Sequence, residues 1–228
     1  MIKYVFLDID DTLLDFHKAE AEALKKTLCH LNIEPTEATI SRYSEINKAQ
    51  WKLLEQGKLT RAEVKFRRFQ LLFDELGVAH DAEYARKYYE ETLSHGHYFM
   101  PGAEKLLDQL FGAYELYVVS NGTTAVQNGR MDSAGIKRYF HKIFLSEEIG
   151  ADKPNPVFFE RCFAEIPHLE KEYAIILGDS LSSDIQGGIN AGIKTCHYCP
   201  RQTVEYTDVR PDFTITSLDE FVPLLRSL

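Results

Sequence analysis

Tyr4-Val5-Phe6-Leu7-Asp8-Ile9-Asp10-Asp11-Thr12-Leu13-Leu14 is the stretch on which the reading of the whole chain turns. An unbroken apolar run, Tyr4 to Leu7, passes straight into acids at Asp8, Asp10 and Asp11. Apolar residues without alternation fit a strand covered on both faces, as at the centre of a parallel sheet. Strand alternation points Asp8 and Asp10 to one side and Asp11 to the other. Carboxylates converging where a buried strand ends repel one another, so either a proton is retained or a cation sits between them. Open α/β sheets bind their ligands at the carboxyl ends of the strands, where these acids fall. The expectation is a Mg²⁺-assisted site in which one Asp attacks and the other moves protons.

Outward from this stretch the periodicity changes. From Phe16 to about Gly96 the spacing is helical. His17–Leu31 is rich in Ala, Glu, Lys and Leu, which are good helix formers. Thr36–Gln56 carries Ile40, Tyr43, Ile46, Trp51 and Leu54 at near-helical spacing and stops at Gly57. Thr60-Arg61-Ala62-Glu63 is a capping-box sequence, opening a helix to Leu76 with Gly77 behind it. Asp81 starts another helix, which Gly96 ends, and Pro101-Gly102 opens one that runs to Phe111. Strands and helices then alternate. The strands are Glu115–Val119, Lys142–Leu145, Tyr173–Leu177, Lys194–Tyr198 and Phe213–Ile215; the helices are Thr123–Ala134, Val157–Ile166 and Ser183–Ala191. Ser217-x-x-Glu220 caps the last helix. Such alternation predicts an α/β fold with a Rossmann-like, doubly wound parallel sheet. The predicted organisation is a catalytic core, residues 1–15 and 98–228, interrupted after its first strand by a helical insertion, residues 16–97. No repeat or low-complexity segment breaks it.

Composition narrows the partners. Lys and Arg number 26 against 35 Asp and Glu, a net charge of −9, and no basic cluster stands out. A nucleic-acid polymer or an anionic membrane surface is therefore not an expected partner, whereas a small anionic substrate is compatible with a locally positive site. The N-terminus enters a strand at once, with no signal-peptide layout and no apolar run approaching the ~20 residues that span a bilayer. The cytoplasm is the expected compartment, and the expected assembly is a monomer or homodimer. Cys196-x-x-Cys199, with His197 inside, lacks the second ligand pair of a structural zinc site and lies on a strand. With Cys29 and Cys162 these residues read as buried or half-buried free thiols.

Further strand ends carry polar residues where buried strands hand over to helices. Val118-Val119-Ser120-Asn121-Gly122 leads into a helix, and a hydroxyl, an amide and backbone N–H groups there make an anion cradle. In Asp152-Lys153-Pro154-Asn155-Pro156, Lys153 sits just before a proline-started helix, where its ammonium can be held toward the sheet edge. Ile175-Ile176-Leu177-Gly178-Asp179-Ser180-Leu181-Ser182-Ser183-Asp184 again ends a buried strand with acids around a glycine turn. Mg²⁺ takes an octahedral oxygen shell from carboxylates, water and substrate phosphate, and Asp8 with Asp179 on adjacent strands supplies such carboxylates. Taken singly, these motifs also read as an N-cap, a surface lysine and a helix cap; all of them in order do not.

Asp8-x-Asp10-x-Thr12, Ser120-Asn121, Lys153 and Gly178-Asp179-x-x-x-x-Asp184 resemble the four motifs of the haloacid dehalogenase superfamily of phosphatases, and the insertion after strand one is similar to that superfamily's C1-type cap. Asn47-Lys48-x-x-Trp51, Gly57-x-x-Thr60, Ser146-Glu147-Glu148-x-Gly150 and Asp184-Ile185-x-Gly187-Gly188-Ile189-Asn190-Ala191-Gly192 extend the resemblance to the YjjG-type pyrimidine 5′-nucleotidases. The resemblance implies that Asp8 is the nucleophile, forming an aspartyl-phosphate, and that Asp10 protonates the leaving oxygen and then activates water. It implies Mg²⁺, or Mn²⁺ or another divalent cation in its place, on Asp8, Asp179 and the backbone carbonyl of Asp10. Ser120, Asn121 and Lys153 then hold the phosphate, and Asp184 orients Lys153 or a metal-bound water. Asp10 favours phosphoryl chemistry over dehalogenation, because dehalogenases of this scaffold lack a second Asp there.

The substrate this implies is a small phosphomonoester, a nucleoside 5′-monophosphate such as UMP, dUMP or dTMP. Alternatives are another C1-cap phosphatase or a phosphomutase acting on a sugar phosphate, and a non-catalytic phosphate-binding module. Substrate choice is expected in the cap, closed over the core to exclude water. Trp51 is the candidate for stacking on a base and Asn47 for bonding its edge, with Arg67, Arg68, Phe16 and His17 as further candidates. Trp51 packed inside the cap is the competing reading.

Overall fold

The structure, a computed structural model, describes residues 1–200 and 208–228. Strand β1 (Tyr4–Leu7) is fully buried along its length, as its unalternated apolar run requires. After it come the helices α1 (Phe16–His30), α2 (Glu37–Glu55), α3 (Arg61–Leu76), α4 (Ala82–Leu93) and α5 (Ala103–Leu110). The chain continues through β2 (Glu115–Ser120), α6 (Thr124–Ala134), β3 (Lys142–Leu145), α7 (Ser146–Ile149), α8 (Pro156–Ala164) and β4 (Ala174–Gly178). It closes with α9 (Gln186–Ala191), β5 (Lys194–Tyr198), β6 (Phe213–Ile215) and α10 (Phe221–Ser227). The strands form a 6-stranded sheet in the order β3-β2-β1-β4-β5-β6, every pairing parallel. The order reverses between β1 and β4, the switch point at which open α/β sheets hold ligands. The α/β fold with a helical insertion after β1 is as the sequence predicts.

Two compact units divide the chain: Met1–Asp15 with Tyr98–Thr124 and Ala134–Leu228, and Phe16–His97 with Ala125–Ser133. In the sheet unit one face of the sheet packs Tyr4, Phe6, Tyr117, Val119, Phe144 and Ile176 against Phe158, Phe159 and Cys162 of α8 and Ala191 of α9. Glycine lets α9 seat this closely: a Cβ at Gly188 would lie 2.6 Å from Ile176 Cγ2 and Thr195 Cγ2. In the helical unit Tyr43, Phe69 and Tyr89 join α2, α3 and α4, with Phe69 edge-on to Tyr89 at 5.4 Å. Both halves of the Thr60–Glu63 capping box form, and Gly77 ends α3 at φ 66°. Residues 125–133 join this unit because Arg130 Nε donates to the Gly96 carbonyl at 3.0 Å and Gly129 leaves room for Ser94.

Several expectations change. β1 stops at Leu7, and the backbone N–H groups of Leu13 and Leu14 both donate to the Ile9 carbonyl while Asp11 takes φ 56°. Asp8–Leu14 is thus a tight turn, so strand alternation does not govern where Asp10 and Asp11 point. The segment predicted as a helix from Ser183 begins as a π-helical turn, Leu181–Ile185, before α9. Helix α7 was not predicted, since its four residues are too short to show a period. All the cysteines are free, but Cys29 is exposed rather than buried, on the outer face of α1. Among the described residues no helix is long and apolar enough to cross a membrane.

Candidate active site

Asp8 continues the β1–β4 pairing one residue past the strand, its N–H donating to the Leu177 carbonyl at 3.0 Å. Its side chain is buried, and Thr12 Oγ1 donates to its Oδ2 at 3.3 Å. Asp179 follows the last residue of β4, and the π-helical turn then brings Asp184 back over Gly178. Glycine is required there because any Cβ would collide with the Asp184 carboxylate. Carboxylate oxygens of Asp8, Asp179 and Asp184 lie within 4.8 Å of one another.

Lys153 enters this cluster from the loop before α8. Its Nζ donates to Asp8 Oδ1 at 2.7 Å, Asp184 Oδ1 at 2.6 Å and the Val119 carbonyl at 2.7 Å, which uses all the donors of the ammonium. Asn121 holds that loop in place: its Nδ2 donates to the Lys153 carbonyl at 2.9 Å and its Oδ1 accepts from the Lys153 N–H at 2.8 Å. The Asn121 amide is therefore engaged in positioning Lys153. Ser120 is buried at the end of β2, its Oγ accepting from the Gly122 N–H at 3.1 Å.

Burial and the Asp184 charge push the Asp8 carboxyl up to about 8, against the opposing pull of Lys153. Burial, then Asp184 and Asp8, hold the Asp179 carboxyl well above the usual range. Burial disfavours the Lys153 ammonium, but the Asp184 and Asp8 charges outweigh it and keep the group cationic. Three carboxylates thus face one ammonium. A divalent cation balances the excess, and hard oxygen donors of this kind suit Mg²⁺ or Ca²⁺. Asp10 is half-buried in the turn, and its charge acts on Asp8.

Some residues here were not singled out from the sequence. Thr12 lies in the quoted motif but had no role. Glu147 Oε2 accepts from the Thr124 N–H at 2.8 Å, so a carboxylate from α7 occupies the first turn of α6. His197 Nε2 lies 2.9 Å from the Asp179 carbonyl; only strand pairing brings it there.

The specificity candidates divide. Asn47 and Arg68 are 3% exposed, and both face inward in the helical unit. Asn47 Nδ2 donates to Glu20 Oε1 at 2.6 Å, Arg68 Nη1 donates to Asn47 Oδ1 at 3.1 Å, and Arg68 Nη2 reaches Glu90 at 3.4 Å. The Arg68 guanidinium also lies 4.8 Å over the Tyr89 ring. Glu20 went unnoticed in the sequence, although a carboxylate on the Ala19–Ala23–Leu24 face of α1 was visible there. Trp51 is half-buried with the Arg61 guanidinium 5.4 Å over its ring, and His17 is exposed. Arg67 Nε donates to Gln50 Oε1 at 3.3 Å, and Phe16 lies under Arg130 at 5.6 Å.

Known proteins resemble this chain in sequence and in fold. Pyrimidine 5′-nucleotidase PynA of Streptococcus pneumoniae is 36% identical over 224 residues, spanning 98% of this chain and 94% of that protein. Pyrimidine 5′-nucleotidase YjjG of Escherichia coli is 27% identical over 222 residues, 97% of each. The crystal structure of the HAD-hydrolase YfnB of Bacillus subtilis bound to magnesium superposes with a TM-score of 0.94 at 36% identity, covering 98% of both chains. Residues 5–198, which carry every one of the strand-end acids and Lys153, match the haloacid dehalogenase-like hydrolase family. With its parallel sheet, its C1-type helical cap after β1 and this acidic site, the chain belongs to the haloacid dehalogenase-like hydrolases.

Proposed function

We propose that this enzyme is a Mg²⁺-dependent phosphatase of nucleoside 5′-monophosphates, pyrimidine ones foremost, working through an aspartyl-phosphate on Asp8. The observation that carries the reading is the excess of buried carboxylate around a fully engaged Lys153. Such a cluster suits a divalent cation, beside which a phosphate dianion can be accommodated. Asp8 attacks phosphorus in line, forming a P–O bond as the ester oxygen departs. Asp10 gives that oxygen its proton, then takes one from the water that hydrolyses the intermediate. Lys153, kept cationic and held by Asn121, offsets charge on the transferring group, and the Ser120 hydroxyl with nearby backbone N–H groups holds its oxygens. Asp8, Asp179 and the Asp10 carbonyl would hold the metal, with Asp184 orienting Lys153 beside it. The metal, when bound, offsets repulsion between a carboxylate nucleophile and the phosphate dianion.

The pyrimidine preference is supported by the names of two relatives, PynA and YjjG. Within the helical unit Trp51 is the better candidate for base contact, because the polar groups of Asn47 and Arg68 are engaged with each other and with Glu20 and Glu90.

The test is phosphate release, with Mg²⁺, across nucleotides, sugar phosphates and phosphorylated acids. UMP, dUMP and dTMP should lead the panel. Asp8→Asn should lower kcat at least about a thousand-fold with an unchanged circular dichroism spectrum. A sugar phosphate at the head of the panel, or an isomeric phosphate formed without phosphate release, would replace the nucleotidase reading with the corresponding phosphatase or mutase. Full activity in Asp8→Asn would overturn the mechanism.

A further inference from the structure

Asp8 and Asp184 are braced through their side chains, whereas Asp179 is braced through its backbone. The peptide unit joining Asp179 to Ser180 is held at both ends. Its carbonyl lies 2.9 Å from His197 Nε2, and its N–H donates to Asp184 Oδ2 at 3.1 Å. A carbonyl oxygen only accepts, so His197 donates, with the hydrogen on Nε2. His197 reaches this position because β5 pairs with β4 in the register that sets it opposite Gly178. Gly178 is the residue immediately before Asp179, and glycine restrains the backbone less than any other residue. With its carbonyl held by β5 and its N–H by Asp184, the 179–180 peptide fixes the Asp179 Cα and the backbone angle from which the carboxylate projects.

We propose that His197 is a positioning residue for the divalent-cation site: its Nε2–H, with the Asp184 carboxylate at the other end, locks the 179–180 peptide and thereby presents Asp179. The proposal rests on the metal-dependent reading of the acidic cluster. It assigns His197, within the cysteine-flanked stretch that the sequence leaves without a role, to the support of a ligand on the neighbouring strand. Partners that orient a ligand in this way alter metal affinity about 10–100-fold when removed.

The experiment is titration calorimetry of Mg²⁺ into metal-free protein, with His197→Leu and His197→Gln beside the wild type. Leucine fills much of the imidazole volume without a donor; glutamine carries an N–H to about the position of Nε2. His197→Leu should weaken Mg²⁺ binding about 10–100-fold, with His197→Gln remaining within about 3-fold of wild type. The melting temperatures of the metal-free proteins report whether the core is intact. Should His197→Leu not fold, His197→Asn takes its place, since its shorter amide does not reach the carbonyl. Wild-type affinity in the donor-less variant, or equal weakening in the Leu and Gln variants, overturns the positioning role while leaving the metal site standing. Absence of Mg²⁺ binding by the wild type overturns both.

Discussion

Lys153 in the sheet unit and Arg68 in the helical unit are both cations taken almost completely out of water, at 1% and 3% exposure. Lys153 meets Asp8 and Asp184, with Asp179 beside them, so the acids outnumber the cation in that cluster and two of them hold their protons until further positive charge arrives. Arg68 lies in a chain that runs Glu20–Asn47–Arg68–Glu90, and Glu90 is also reached by Lys65 and Arg86. There the acids do not outnumber the cations. Burying charge is costly unless it is paired, so a protein tolerates an uncompensated cluster only where a ligand completes it. The contrast teaches that burial alone does not mark a site. Imbalance does, and by that measure the sheet unit holds chemistry and the Arg68 chain holds helices together.

The sharpest way to break the contrast is Lys153→Met. Removing the ammonium that, among the described residues, pairs with both Asp8 and Asp184 should cost about 4 kcal/mol in chemical denaturation of the metal-free protein. Added Mg²⁺ should restore part of that loss, because a second cation then serves the same carboxylates. Arg68→Met comes next, at about 3 kcal/mol, since Asn47 loses its guanidinium donor and Glu20 the nearby positive charge while Glu90 keeps its other partners. Here Mg²⁺ should change nothing; restoration by Mg²⁺ would erase the distinction between the clusters.

The smallest effect concerns Glu20. Burial, outweighing hydrogen bonds from Ser44 and Asn47 and the Arg68 charge, raises its carboxyl above the ordinary 4.5. The folded state therefore holds this proton more tightly than the unfolded chain does. The associated stability is present in full below the unfolded value and is lost as pH rises through the folded one. Glu20→Gln keeps an acceptor for Asn47 without the ionisation, so its melting temperature should gain on the wild type as pH rises above the ordinary 4.5. A pH-independent difference would mean that Glu20 ionises in the fold as freely as in water.

Local pattern carried much of this in advance. β1 was legible because a strand buried on both faces needs no alternation, and α3 because its capping box and Gly77 lie at fixed offsets from its ends. The strand-end acids were legible because polar groups after buried strands have few structural uses. The turn at Asp8–Leu14 was not, because its positive φ at Asp11 and paired bonds to Ile9 are choices of backbone made after the strand has ended. The hydrogen bonds that join Asn47 and Arg68 to each other and to Glu20 and Glu90 were not legible either. Spacing shows which face of a helix a residue occupies, not which neighbouring helix that face meets.

Local pattern alone therefore carried the α/β class, the helical insertion after β1, and the placement of Asp8 and Asp10 after β1, Asp179 after β4 and Lys153 before α8. Hydrophobic period, caps and turn residues are local properties, and they are written within a few residues of where they act. Only the tertiary structure decided that Asn121 holds the Lys153 backbone, that Gly178 makes room for Asp184, and that His197 reaches the Asp179 carbonyl. Those contacts join residues brought together by parallel strand register and by the return of a loop, and a parallel sheet places neighbours in space that its long crossovers keep apart in sequence.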